Sequence, residues 1–198
     1  MGKTVDYYFS VASPWTYLGS ARFIDMVRRN QSTVNVMPVD YTRVFAASGG
    51  TLFQERAHQR RAYRQVELAR WQRRLGIPLT LEPRFYPVDR RPASYLLIAA
   101  RRQGARALDL SHAILRAIWH EDKNIADWDT LMEVAERAGF ERRALAEAAQ
   151  DPSIVREYER DTDRAITAQV FGAPTYAVDG EFFWGQDRLD FFEEKLTS

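Results

Sequence analysis

The sequence predicts an α/β fold in which the two ends of the chain form one sheet and a long helical segment is inserted between them. Three observations predict this class: a strand–helix–strand pattern opens the chain, helical patterns fill its middle, and a strand–turn–strand pattern with a final helix closes it. Because the strands lie only at the two ends, those ends are expected to pair with each other.

The opening segment predicts a strand, a helix and a second strand. Residues 5–10 are rich in β-formers and aromatics, residues 15–29 carry apolar positions at helical spacing, and residues 34–39 alternate before turning near Pro38. Ser13 is a good N-cap candidate, and Pro14 stands where helices tolerate proline best. A hydroxyl is therefore expected at the N-terminus of the first helix.

The middle of the chain predicts helices. Gly49 and Gly50 indicate a loop, and residues 54–75 form a strongly charged helical segment that stops at Gly76, with Pro78 just beyond. An irregular, proline-rich stretch over residues 83–92 follows. Further helices are predicted over residues 93–103, 108–120, 128–138, 142–150 and 155–169.

The last segment returns to strand patterns. Residues 174–178 and 181–184 predict two strands joined by a hairpin turn at Asp179 and Gly180, and residues 190–196 predict a closing helix. This order of elements predicts a thioredoxin-like fold with a large inserted α-helical domain. Residues 1–42 and 170–198 would form the thioredoxin-like domain, and residues 43–169 the inserted helical domain.

The composition excludes several classes of protein. The 198 residues contain no cysteine, which excludes disulfides, thiolate zinc sites and a redox dithiol carried by the chain. A net charge of +1 argues against nucleic acid or an anionic membrane as a partner. The three histidines lack metal-ligand spacing, so no metal site is expected. No apolar run resembles a signal peptide or a membrane span, and a cytoplasmic protein is expected.

Three short motifs carry candidate chemistry, and each has a structural alternative. Ser13 at a helix N-terminus would favour a bound anion such as a thiolate, or would simply cap the helix. Pro174 stands where a cis bond is typical, which would free the backbone of Ala173 for an extended ligand; the alternative is an edge-strand proline. Asp187 would receive a ligand ammonium group or cap the final helix.

Taken together and in this order, the three motifs resemble those of the 2-hydroxychromene-2-carboxylate isomerases. These enzymes stand with the kappa-class glutathione transferases in the DsbA-like branch of the thioredoxin superfamily. The motifs are the strand leading to Ser-Pro, the Phe-Gly-x-Pro-Thr segment from Phe171 and the Trp-Gly-x-Asp-Arg segment from Trp184. The resemblance runs from Asp6 to about Leu196.

The resemblance implies glutathione as the cofactor. Ser13 would hydrogen-bond its sulfur as the catalytic residue, and Ala173 before Pro174 would pair with its cysteine unit. Asp187, with Gln186, would hold the γ-glutamyl amino group of glutathione, and Arg188 would support them. Arg60 lies where relatives carry a lysine near the glycine end of the peptide. A guanidinium at Arg60 would clasp a carboxylate through two hydrogen bonds.

The resemblance also implies an isomerase of aromatic catabolism that interconverts 2-hydroxychromene-2-carboxylate-type and trans-o-hydroxybenzylidenepyruvate-type compounds. A thiolate that adds to a conjugated C=C bond lets the bond rotate and then leaves. Serine in place of cysteine avoids a mixed disulfide with glutathione. Tyr86, Asp89 and Trp184 are candidates to line the pocket of a small aromatic substrate, and a homodimer is expected.

Two alternatives stay open at this stage, a kappa-like glutathione transferase and a glutathione-binding module without turnover. One departure from the family is visible: the loop from Gly49 to Phe53 lacks the usual Gly-Asn and prolines. Arg56, Arg60 and Arg64 share one helix face at i, i+4 spacing. We interpret that face as solvated, with one or two anion-binding arginines, rather than as a nucleic-acid stripe.

Overall fold

One four-stranded sheet is covered by helices on both faces. The computed structural model describes residues 2–104 and 106–198; Met1 and Ala105, which fall within the predicted domains, lie outside the described residues. The described elements are β1 (Thr4–Phe9), α1 (Pro14–Arg29), β2 (Thr33–Pro38), α2 (Tyr41–Ser48), α3 (His58–Leu75), α4 (Arg91–Arg102), α5 (Ala107–Trp119), α6 (Trp128–Arg137), α7 (Arg142–Ala149), α8 (Pro152–Thr167), β3 (Thr175–Val178), β4 (Glu181–Trp184) and α9 (Leu189–Thr197).

The sheet joins the two ends of the chain, as predicted. Its strand order is β2-β1-β3-β4. β1 lies parallel to β2, and β3 lies antiparallel to β1, with Tyr7 opposite Tyr176. β4 returns antiparallel to β3 through the turn at Asp179 and Gly180, whose φ angles of 50° and 79° suit a tight hairpin. The predicted α/β, thioredoxin-like fold is confirmed.

Alternate residues of β1 serve two different layers of the core. Tyr7 and Phe9 point to one face, where their rings stack at 4.3 Å and Phe23 of α1 packs at 4.6 Å from Tyr7. Tyr8 points to the other face and packs with Val44 of α2 and Ala165 of α8. This period of two is why an aromatic-rich strand is buried on both sides.

The helical middle packs directly against the sheet. Arg101 of α4 donates a hydrogen bond to the carbonyl oxygen of Val36 in β2 at 2.7 Å. The same side chain forms ion pairs with Asp161, at 2.8 Å, and Glu157 of α8. The largest hydrophobic cluster contains residues of the sheet and of the helical middle together. The division into two domains at residues 42/43 and 169/170 stays a prediction.

One helix was not predicted, and two helices begin three or more residues away from their predicted start. Helix α2 was not predicted; it forms because Asp40 caps its N-terminus, accepting from the N–H of Thr42 at 2.8 Å, and Gly49 ends it with φ 75°. Helix α3 begins at His58 rather than residue 54, since residues Phe53–Glu55 form a separate 3-10 turn. Helix α8 begins at Pro152 rather than 155, because Asp151 caps it.

In the described residues, no helix has the length and apolar character needed to cross a membrane.

Candidate active site

Ser13 stands at the N-terminus of α1, as predicted. Its Oγ accepts a hydrogen bond from the backbone N–H of Thr16 at 3.2 Å, and Pro14 occupies the first helical position. The serine is therefore the N-cap, and its hydroxyl lies beside the positive end of the helix dipole. A half-buried hydroxyl at this position is able to donate its own hydrogen to an anion.

Ser13 lines a cavity of about 530 Å³, here called the serine cavity. A second cavity of about 650 Å³ adjoins it. The two share the side chains of Trp15, Arg60 and Trp184, so they form one continuous cleft. The serine cavity also contains Phe53 and Tyr86, while the second cavity contains Gln186, Asp187 and Arg188. We call the end with Phe53 and Tyr86 the aromatic end and the end with Gln186, Asp187 and Arg188 the polar end; Ser13 lies at the aromatic end.

The loop before β3 forms one wall shared by both cavities. The peptide bond between Ala173 and Pro174 is cis, which is one of the two possibilities that the sequence left open. Ala173 has no backbone hydrogen bond within the described part of the chain, although its neighbours are held: the Gly172 carbonyl accepts from the Tyr41 hydroxyl at 2.9 Å. The Pro174 carbonyl accepts from the N–H of Gly185 at 2.9 Å. Ala173 therefore presents its backbone to the cleft from a well-anchored loop.

Trp184 lies against this loop because Gly172 has no side chain. A Cβ on Gly172 would meet the indole Nε1 of Trp184 at 2.1 Å, which is far inside contact distance. The indole also packs edge-on against Phe171, with ring centroids 4.8 Å apart. Half of Trp184 is exposed, and it lines both cavities. The structure thus places this candidate pocket residue at the cleft.

In the segment after β4, Gln186 is held inside the fold and Asp187 faces the solvent. Gln186 is buried, and its backbone and side-chain oxygens both accept from Arg22 of α1, the backbone oxygen at 2.8 Å. Asp187 is exposed, and its carboxylate lies 3.5 Å from Arg188. Helix α9 starts without a side-chain cap, so the alternative role of Asp187 as its cap is not seen. Asp187 therefore leaves a carboxylate open to the cleft.

Helix α3 brings arginines to the opposite wall. Arg60, a candidate site residue, is exposed and lines both cavities. Arg64, one turn later, is 8% exposed and lies with its guanidinium carbon 4.4 Å from the ring centre of Phe53. Burial lowers the pKa of Arg64 below its usual value. The interpretation of the helix face of Arg56, Arg60 and Arg64 as solvated is therefore wrong for Arg64. Arg64 was not selected as a site residue, although its i, i+4 spacing from Arg60 was the available signal.

The structure brings Tyr86 to the serine cavity but does not bring Asp89 there. Asp89 lies outside both cavities and is exposed. Its carboxylate accepts from the side chain and the backbone N–H of Arg91, at 2.8 and 3.0 Å. These hydrogen bonds hold the pKa of Asp89 below its usual value. The placement of Asp89 in the substrate pocket is therefore corrected: its carboxylate serves the start of α4.

The strand order, the cis-proline loop and the neighbouring N-terminus of α1 define a protein of the thioredoxin-fold class. This chain has serine at the helix start and no cysteine anywhere in its sequence. It therefore differs from thioredoxin-fold proteins that use a thiol of their own. The chain belongs to the DSBA-like thioredoxin domain family, whose model matches residues 4–197.

Within that family the chain is similar to a group of isomerases. The 2-hydroxychromene-2-carboxylate isomerase of Sphingobium xenophagum is 32% identical over 202 residues, covering 99% of this chain and 99% of that protein. The enzyme of the same name from Pseudomonas putida is 30% identical and covers 97% of this chain and 93% of that protein. A solved 2-hydroxychromene-2-carboxylate isomerase matches with a TM-score of 0.80 at 28% identity, covering 98% and 94% of the two chains. The family resemblance is confirmed.

Proposed function

We propose that the protein is a glutathione-dependent isomerase that interconverts 2-hydroxychromene-2-carboxylate-type and trans-o-hydroxybenzylidenepyruvate-type compounds. The observation that carries the proposal is Ser13, which caps α1 inside a cleft that also contains Ala173 and Asp187. The full-length similarity to isomerases of that name supports the same activity.

The residues of the cleft fit glutathione in charge and in hydrogen-bonding capacity. The tripeptide carries one ammonium group and two carboxylates, and the cleft offers the carboxylate of Asp187 and the guanidinium of Arg60. Ala173, next to Pro174, has unpaired backbone groups that suit the extended cysteine unit. Arg188 beside Asp187 adds positive charge at the polar end. Gln186 acts indirectly, because Arg22 holds it against α1 and it in turn positions Asp187.

The chain's own contribution is to bind, orient and stabilise charge. Bound glutathione supplies a thiolate nucleophile for the conjugated double bond of the substrate. The Ser13 hydroxyl donates to the sulfur anion, and the N-terminus of α1 lowers the free energy of negative charge there. Phe53 and Tyr86 form the aromatic end of the cleft, where a planar substrate would stack and displace water.

The loop that departs from the family pattern belongs to this aromatic end. Residues 49–53 all line the serine cavity, with Phe53 reaching the ring of Tyr86 at a centroid distance of 5.8 Å. The missing asparagine and prolines are thus replaced by a glycine pair and an aromatic wall. The homodimer that the resemblance implies and the cytoplasmic location expected from the sequence remain part of the proposal, and light scattering of the purified protein tests the homodimer.

The test is a spectral assay with 2-hydroxychromene-2-carboxylate. We expect conversion that requires glutathione and leaves the thiol concentration unchanged, because the nucleophile is released in each cycle. S-methylglutathione, which has no free thiol, is the matched control and should not support conversion. Consumption of thiol with 1-chloro-2,4-dinitrobenzene but no isomerisation would identify a transferase. Tight glutathione binding without either reaction would leave a binding module.

A further inference from the structure

Arg64 is a buried guanidinium without a complete set of partners. Only 8% of the residue is exposed, and its Nη2 atom is fully buried with no hydrogen-bond partner in the described residues. Arginine is rarely buried this far unless it is paired, because an unsatisfied charged donor loses its hydration without compensation. The side chain nevertheless lines both cavities of the cleft.

Aromatic rings surround the guanidinium of Arg64, and no carboxylate among its described neighbours neutralises its charge. The groups that shift its pKa, apart from burial, are the Tyr86 phenol and the like charge of Arg56; no carboxylate is among them. The guanidinium carbon lies 4.4 Å from the ring centre of Phe53, 5.5 Å from that of Tyr86 and 5.8 Å from that of Trp119. Cation–π contacts of this kind partly offset burial but provide no hydrogen-bond acceptor for the guanidinium N–H groups.

The ring contacts of Arg64 set it apart from the groups that suit glutathione, although its side chain lines both cavities. Asp187 and Arg188 lie in the second cavity, whereas Phe53 and Tyr86, which contact Arg64, lie in the serine cavity. Arg60, the exposed arginine one turn earlier, is already available for a peptide carboxylate at the shared boundary. The buried arginine is left for an anion that enters the aromatic end.

We propose that Arg64 is a specificity-determining residue that binds the carboxylate of a planar aromatic acid in the serine cavity, while the ring of that acid packs on Phe53 and Tyr86. This inference rests on the proposed function, for which it assigns the residue that recognises the acid group of the substrate. A guanidinium in this setting favours a carboxylate through two parallel hydrogen bonds, and the low dielectric of the cavity strengthens both.

The first test compares an acid with its neutral amide on the unmodified protein. With S-methylglutathione at saturation, 2-naphthoate and 2-naphthamide are titrated by calorimetry, so that no turnover is involved. We expect the acid to bind at least about tenfold more tightly, as a charged hydrogen-bonded pair provides. Equal affinity for the two probes would overturn the inference without any mutation.

The second test removes the guanidinium. Arg64→Met should bring the acid-to-amide affinity ratio close to one, and Arg64→Lys should retain part of the preference. Arg61→Met is the matched control, since Arg61 is exposed on the same helix and lines neither cavity; it should keep the wild-type ratio. An equal loss of affinity for both probes in Arg64→Met would assign Arg64 a purely structural role and overturn the inference.

The two proposals fail in different ways. If the protein isomerises the chromene acid but Arg64→Met keeps the preference for 2-naphthoate, the proposed function stands and the role of Arg64 is wrong. If no isomerisation occurs but the preference is lost in Arg64→Met, the role of Arg64 stands as an aromatic-acid site and the proposed reaction is wrong.

Discussion

At the scale of single residues, Ser13 combines two roles in one atom. Its Oγ accepts from the N–H of Thr16, which stabilises the start of α1, while its own hydrogen stays available for a ligand anion. A hydroxyl has this double capacity, whereas a cysteine at the same place would be reactive itself. The capping role and the ligand-binding role of Ser13 are therefore compatible, so the two alternatives that the sequence left open do not exclude each other.

The first residue-scale prediction concerns Ser13→Ala. We expect glutathione to bind nearly as well, turnover to fall by at least about tenfold, and stability to fall by about 1 kcal/mol because a cap is lost. Isothermal titration, the spectral assay and urea unfolding measure the three effects.

Asp127→Ala is the matched control for Ser13→Ala. Asp127 caps α6 by accepting from the N–H of Thr130 at 2.8 Å and lies outside the cleft. This variant should lose stability but keep full turnover. A wild-type rate in Ser13→Ala would remove the hydroxyl from the mechanism, whatever the change in stability.

At the scale of elements, the position of the polar end depends on the contact between α1 and the 3-10 turn Gln186–Arg188. Gly19 of α1 allows this contact: a Cβ there would meet the Cβ of Gln186 at 2.8 Å and the Tyr176 hydroxyl at 3.0 Å. Arg22, less than one turn later, holds the Gln186 backbone oxygen at 2.8 Å. The helix that presents Ser13 therefore also positions Asp187.

The element-scale prediction is Gly19→Ala. The added methyl group should push the 3-10 turn away from α1, because backbone and side-chain atoms of Gln186 stand in its way. We expect a net loss of roughly 1–2 kcal/mol, the overpacking cost exceeding the gain in helix propensity. The glutathione concentration for half-maximal rate should rise as Asp187 moves.

Urea unfolding and glutathione titration of the isomerase rate measure these two effects. Asp25→Ala, at an exposed position of the same helix, is the control and should change neither quantity. Unchanged glutathione dependence in Gly19→Ala would show that Asp187 does not need its present position.

At the scale of the whole molecule, one ion-pair cluster links the sheet to the helical middle. Arg101 of α4 contacts the β2 backbone at Val36 and two acids of α8, Glu157 and Asp161. Burial raises the pKa of Asp161, and the nearby Arg101 charge acts in the opposite direction. Without Arg101, Asp161 would keep its burial and lose its principal counter-ion.

The whole-molecule prediction is Arg101→Met. We expect a loss of roughly 3 kcal/mol at neutral pH, because a partly buried carboxylate is left unpaired. The pKa of Asp161 in the folded state should rise further above its unfolded value. A protonated Asp161 needs no counter-ion. The loss should therefore shrink below the pKa that Asp161 has in the folded wild type, and grow as the pH rises from that pKa to the higher folded-state pKa of the variant.

Urea unfolding at several pH values measures the effect of Arg101→Met. Arg143→Met removes only an exposed pair with Glu147 on α7 and should change stability little at any pH. A pH-independent loss in Arg101→Met would contradict the assignment to Asp161. Separate transitions for the sheet and the helices would support the predicted division into two domains, and a single transition would argue against it.

The sequence by itself determined the strands and every helix except α2, the closing hairpin and the cap at Ser13, and it offered the cis bond before Pro174 as one of two possibilities. Each of these depends on residues close together in the chain: apolar spacing, an Asp-Gly turn, Ser-Pro at a helix start. The family resemblance added Arg60 and Asp187, which the structure brings to one cleft.

Only the tertiary structure decided which polar side chains face that cleft. Arg64 is buried among aromatic rings from distant segments, Gln186 turns inward to Arg22, and Asp89 turns away to Arg91. The periodicity of a helix does not encode the contacts of Arg64 with Trp119 or of Gln186 with Arg22, because these partners lie far apart in sequence. Asp89 and Arg91 are two residues apart, but their spacing does not tell whether the carboxylate turns to Arg91 or to the cavity. The cysteine-free Ser13 turn was readable from the chain alone, whereas the buried charge opposite it emerged only from packing.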